Sequence, residues 1–204
     1  MTLHPNRKDD RVGLVSPSDE SRDRGWIDAI RTGDAAAFEA MFRVYADGLC
    51  GFVYRFVGSR DEAQEQVQDL FLWIWDHRHE WEVAGTLKTY LYKAARNRAL
   101  SRVRHQRVEQ RFHLRSADDL ATGSRATTCA QADQQLYAGE LARAIDRAVT
   151  ALPERCRQVF ELNRKNHLGY AEIAEVLHIS VKTVEVHMGR ALTALRKSLA
   201  DWTG

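Results

Sequence analysis

Residues Gly169 to Leu195 read GYAEIAEVLHISVKTVEVHMGRALTAL. Ile173, Ala174 and Leu177 fall at i, i+1 and i+4, on one apolar side of a first helix. His178-Ile179-Ser180 interrupts it, and Ser180 is predicted to cap a second helix, its hydroxyl accepting from free backbone N–H groups of the next turn. Val184, Met188, Ala191 and Leu195 then mark one face of that second helix, whose opposite side carries Lys182, Glu185, Val186, Gly189 and Arg190. A short helix, a tight turn and a second helix with a polar outer face form the pattern of a DNA-reading helix-turn-helix. An ordinary helical hairpin with a solvated face has the same pattern, so the rest of the chain has to separate the two.

The 204 residues can hold one domain or two small ones. Glycine and proline are scarce, at 12 and 3, which favours a mostly helical chain. With 30 basic and 28 acidic residues, bulk charge points to no particular partner. Cys50, Cys129 and Cys156 are odd in number and widely spaced, without a Cys-x-x-Cys pair. That suits a reducing cytosol, and a cytoplasmic location is expected. No apolar run approaches the roughly 20 residues that span a bilayer, and the N-terminus lacks the apolar core of a signal peptide.

Charge is balanced overall but not locally. Ser59 starts a helix with acids in its first turn, and its expected core stripe is Ala63, Val67, Leu70, Phe71 and Ile74. Residues 60–82 hold seven acids against two bases, with Leu72, Trp73 and Trp75 beside the acids. That is more large apolar surface than one core face needs, and an acidic helix of this kind is a docking surface for a basic protein. A helix buried on two sides with a solvated edge is the alternative. Residues 86–115 reverse the sign, with nine bases against Glu109 alone on one long helix capped by Thr86. Trp81, Tyr90 and Tyr92 lie among or just before these charges. Cations beside stackable rings are what single-stranded nucleic acid needs.

The expected architecture is all-α: two small helical domains joined by a flexible linker. Residues 1–24 are polar and aperiodic, and are expected to be a disordered tail. Residues 25–112 form the first domain, with Gly33 ending a short helix, Asp34 capping the next and Gly58 stopping it. Residues 113–133 gain Ser, Thr, Ala and Gly and read as the linker. Residues 134–204 form the second domain, where Pro153 suits a first helical turn and Cys156, Val159, Phe160 and Asn163 face inward.

The order of the blocks DEAQEQVQDLFLWIW, TLKTYLYKAARNRALSRVR, LPERCRQVFEL and GYAEIAEVLHISVKTVEVHMGRAL resembles that of the small two-domain bacterial sigma factors of the extracytoplasmic-function (ECF) group. The resemblance covers about residues 26–112 and 134–199. The last two blocks alone would also suit a LuxR-type DNA-binding domain.

The resemblance implies that Asp61, Glu65, Gln68, Asp69, Leu72 and Trp73 bind the clamp helices of core RNA polymerase. It implies that the 81–86 loop and the basic helix open and read the promoter −10 element through Trp81, Lys88, Tyr92, Lys93, Arg96 and Asn97, with Asn97 as contact or loop brace. It implies that Ser180, Lys182, Thr183, Glu185, Val186 and Arg190 read the −35 element, with His187 beside them as a phosphate-side contact or inert. Arginine pairs with guanine or phosphate, glutamate accepts from cytosine N4, and valine touches a thymine methyl. The linker would thread toward the polymerase active centre, and an anti-sigma factor is the implied regulator.

Two rivals belong to other classes. A dimeric transcription factor leaves the paired acidic and basic helices without a role. An enzyme lacks support: no phosphate-binding glycine loop, nucleophile elbow or metal-spaced His/Cys set is present, and His77 and His79 form only a local pair. No cofactor, metal or catalytic residue is expected.

Overall fold

The computed structural model of the protein describes the backbone of residues 17–114 and 136–200, and the side chains of residues 19–108, 140 and 142–200. The described residues form helices and connecting turns without a strand, in two compact units. The first unit holds α1 (Pro17–Arg31), α2 (Ala35–Val57), α3 (Arg60–Asp76) and α4 (Leu87–Leu114). The second holds α5 (Leu136–Thr150), α6 (Glu154–Arg164), α7 (Tyr170–Leu177) and α8 (Val181–Ser198). The all-α expectation holds.

Punctuation residues set the boundaries of α2 and α3. The Asp34 carboxylate accepts from the backbone N–H groups of Ala36 (2.8 Å) and Ala37 (3.1 Å), satisfying donors that the first turn leaves free. Gly58 ends α2 in the left-handed region at φ 75°, and its N–H bonds the Tyr54 carbonyl. Ser59 then caps α3, accepting from Glu62 N–H at 3.4 Å. Helix α2 lies at the centre of this unit and packs against α1, α3 and α4. Its buried stripe is Met41, Tyr45, Leu49, Phe52 and Val53. Phe38 and Phe42 meet Phe71 of α3 at 6.0 and 4.9 Å, and Phe52 meets Tyr92 of α4 at 5.3 Å. Of the α2 aromatics, Tyr45 and Phe52 are buried, and Phe38, Phe42, Tyr54 and Phe56 are half-buried.

Helix α1 corrects the expected tail. It begins at Pro17, so residues 17–24 are helical, while residues 1–16 lie outside the described residues. Asp23 is only 6 % exposed and accepts a 2.5 Å hydrogen bond from the Tyr45 hydroxyl. Arg22 pairs with Asp23 at 3.1 Å and stacks over Trp26 at 4.7 Å. The partner lies 22 residues away, so local patterning reads Asp23 as solvated. Burial, and then the bond to Asp23, push the Tyr45 hydroxyl above its ordinary value. The folded state therefore keeps a proton that the unfolded chain releases near pH 10. The contribution is complete below about pH 10 and is lost as pH rises beyond it. Tyr45→Phe is expected to destabilise this unit by about 1–3 kcal/mol, since Asp23 loses a buried donor. Urea denaturation followed by near-UV circular dichroism checks the loss, and the alkaline fall in stability should flatten in the same variant.

In the second unit α8 packs against α5, α6 and α7. Ala148, Val149, Leu152, Cys156, Ala191 and Leu195 form one core cluster, with Phe160 packed against it. Ile145 of α5 is exposed, and the buried side of that helix is Ala144, Ala148 and Val149. Pro153 stands at the N-cap of α6, and the Asn163 amide donates to the Leu168 carbonyl at 2.9 Å, pinning the turn into α7. The expected linker lies outside the described residues from position 115, and α4 itself runs to Leu114.

Candidate functional site

Three surfaces carry the predicted residues. Helix α3 divides cleanly. Ala63, Val67, Leu70, Phe71 and Ile74 are all buried, as the 3.6-residue period requires. Asp61, Glu65, Gln68, Asp69, Leu72 and Trp73 are all exposed. Leu72 and Trp73 keep 57 % and 40 % of their surface in water. The structure thus brings together all six predicted residues on the side of α3 turned away from the core. Glu62 is the acid that faces inward: it accepts from Arg102 Nε of α4 at 2.8 Å and from the Gln106 amide. Trp75 is half-buried, 5.0 Å from Phe38 and covered by the Arg78 guanidinium at 4.8 Å.

The second surface is the 81–86 loop with α4. Thr86 caps α4, its hydroxyl oxygen accepting from Thr89 N–H at 3.2 Å. Lys88, Lys93 and Arg96 are half-buried and Asn97 is exposed. Two of the predicted residues are buried. Trp81 is 2 % exposed and Tyr92 3 % exposed. Both belong to the core: Trp81 lies edge-on to Tyr90 at 5.9 Å, and Tyr92 packs on Phe52. Neither ring presents a face on which a base can stack in this conformation. The reason is geometric, since Tyr92 shares the inward side of α4 with Leu91, Ala95 and Ala99.

The third surface is the helix-turn-helix. His178 ends α7 in the left-handed region at φ 54°, and Ser180 Oγ accepts from Thr183 N–H at 3.1 Å to start α8. Val184, Met188, Ala191 and Leu195 are buried, while Lys182, Val186, Gly189 and Arg190 are exposed. Ser180 and Thr183 also bond each other through their hydroxyls at 2.8 Å, so both shape the helix start. Glu185 is half-buried and 3.8 Å from the Lys182 ammonium. His187 turns toward α6, with Nδ1 3.6 Å from the buried Cys156 thiol. Burial first, then the cations Arg190 and Arg155, push its pKa below the ordinary histidine value. A neutral ring is a weak phosphate partner, so the positive charge on this face of α8 comes from Lys182 and Arg190.

These surfaces coincide with two matched family models: Sigma-70 region 2 over residues 41–109, and Sigma-70, region 4 over residues 142–195. The chain belongs to the ECF group of sigma factors. It is similar to the ECF RNA polymerase sigma factor SigW of Bacillus subtilis, at 26 % identity over 86 % of this chain and 95 % of that one. It is equally similar to the ECF sigma factor RpoE of Cereibacter sphaeroides, at 26 % over 90 % and 99 %. Its fold resembles that of CnrH, solved with the cytosolic domain of CnrY, with a TM-score of 0.56 at 21 % identity over 90 % of this chain and 99 % of that one. It also resembles that of the sigma factor RpoE of Bartonella quintana, solved with the anti-sigma factor NepR, with a TM-score of 0.57 at 20 % identity over 80 % and 96 %.

This sigma factor therefore directs promoter-specific transcription initiation. Among its described residues no helix is long and apolar enough to cross a membrane. Sequence reasoning about it missed His77, whose ring stacks on Trp73. The i,i+4 spacing was the available signal. Arg155 was missed too: it lies on α6, outside the expected reading helix, yet its charge reaches His187.

Glycine at position 189 has no close neighbour that explains it, since a Cβ built there meets nothing within 4 Å. Gly189→Ala is accordingly expected to stabilise the second unit by up to about 1 kcal/mol, the helix-propensity difference. A rise in melting temperature together with weaker −35 binding would show that the space is reserved for DNA.

Proposed function

We propose that α3 of this sigma factor docks core RNA polymerase, that the 81–86 loop and α4 engage the opened −10 element, and that α8 reads the −35 element in the duplex major groove. The division of α3 carries the docking reading: five stripe residues are buried, and all six predicted contacts are exposed together. The acidic side chains complement a basic partner and steer the encounter, while Leu72 and Trp73 supply apolar area. On the −10 side Lys88, Lys93, Arg96 and Asn97 remain the contacts, and Trp81 and Tyr92 shape the loop from below. On the −35 side Lys182, Glu185, Val186 and Arg190 face the bases or flanking phosphates, with Ser180 and Thr183 setting the start of the helix.

The units α1–α4 and α5–α8 act as separate modules joined by the segment between α4 and α5. Two weak DNA contacts become effective once both modules are fixed on the polymerase, because the second binding step is then intramolecular. The chain acts by recruitment, without covalent chemistry of its own, and works in the cytoplasm. An anti-sigma factor, like the one held by the Bartonella quintana protein, is the expected regulator.

Charge reversal tests the docking reading. Asp61→Arg combined with Asp69→Arg is expected to weaken association with purified core polymerase by about tenfold or more, with slower association as the larger part. Unchanged affinity, with the variant folded by circular dichroism, would remove α3 as the docking helix.

A further inference from the structure

Two tryptophans near the end of α3 have opposite fates. Trp75 turns inward against Phe38 and under Arg78. Trp73 stays 40 % exposed beside Leu72 at 57 %. The exposed ring is nevertheless held. The His77 imidazole lies flat against it, with ring centroids 4.5 Å apart and planes 19° from parallel. His77 is itself tethered: its backbone N–H donates to the Trp73 carbonyl at 3.0 Å, and its ring Nδ1 lies 2.9 Å from the same oxygen. A carbonyl only accepts, so the side-chain bond requires the proton on Nδ1. Backbone and side chain together fix the imidazole plane, and the imidazole plane limits the rotamers of the indole.

We infer that His77 is a positioning residue for Trp73, holding the indole as a preformed anchor on the polymerase-docking face of α3; the inference rests on the docking reading above. Immobilising a free tryptophan on binding costs conformational entropy, and a ring already stacked has lost most of it before the encounter. Tryptophan is also the residue type most enriched among side chains that dominate binding energy. The imidazole covers one face of the indole. The ring keeps 40 % of its surface exposed, on the same helix as the exposed side chains Asp69, Leu72 and Asp76.

The test is the affinity of full-length variants for purified core polymerase, with melting curves recorded alongside. Trp73→Ala is expected to weaken binding about tenfold or more. His77→Ala should weaken it about three- to tenfold, the cost of ordering one large side chain. His77→Phe keeps a stacking ring but loses the bond to the Trp73 carbonyl, and should fall between the parent and the alanine variant. His77→Asn can still donate to the Trp73 carbonyl but has no ring, and should behave as the alanine variant does. In a Trp73→Ala background, His77→Ala should add nothing, because its effect runs through the indole.

His77→Ala at parental affinity overturns the inference. So does the same loss in the Trp73→Ala background, or rescue by asparagine but not by phenylalanine, which would assign His77 to the helix end. A parent chain that fails to bind core polymerase overturns the docking reading itself, whereas a parent that binds with His77 variants indifferent overturns this inference alone.

Discussion

Trp81→Ala is expected to destabilise the first unit by about 3–5 kcal/mol, the usual cost of truncating a buried tryptophan. The ring is 2 % exposed, next to Tyr90 and just ahead of the loop that leads into α4. Removing it opens a cavity beneath that loop. Urea denaturation followed by far-UV circular dichroism measures the effect. The indole Nε1 has no hydrogen-bond partner among the described residues, so Trp81→Phe, which keeps a ring and removes the unpaired donor, should cost much less. A tryptophan serving only as a platform for bases gives the opposite signature: parental stability in both variants, with promoter opening lost in the alanine variant.

The second large effect is expected from Arg190→Ala. Arg190 is exposed on α8, one position past Gly189, while Met188 and Ala191 hold the helix to its core. Its removal should leave stability nearly unchanged, because it takes nothing from that core. It should cost about 1–3 kcal/mol of promoter recognition, roughly five- to 150-fold in −35-dependent transcription. The pattern of the loss separates two roles. A bidentate contact to guanine gives a loss confined to promoters with that base, and a phosphate contact gives a uniform loss with a salt slope smaller by about one. Lys182→Ala should have a smaller effect, since that side chain is a flexible point charge.

Legibility in the sequence tracked the range of the interaction. The buried stripe of α3, the caps at Asp34, Ser59 and Ser180, the stop at Gly58 and the turn at His178-Ile179-Ser180 are local patterns, and all were readable. The six exposed residues of α3 came by subtraction, because a helix with a defined core face has a defined outer face. The misreadings were non-local or two-valued. Asp23 is buried because Tyr45 reaches it across 22 residues, which no window over the first 24 residues contains. An aromatic among cations suits either base stacking or core packing, and Tyr92 fell to the core because Phe52 of α2 lies opposite. His187 of α8 lies against Cys156 of α6, a contact that no pattern within α8 contains. In each case the deciding partner came from another helix.

The central claim is that this chain gives core polymerase its promoter choice. Run-off transcription tests it most directly, with purified core RNA polymerase and a genomic promoter library, with and without this protein. Promoter-specific transcripts requiring only those two components are predicted, with start sites that place both promoter elements. No transcripts, together with no association between this chain and core enzyme, would contradict the account.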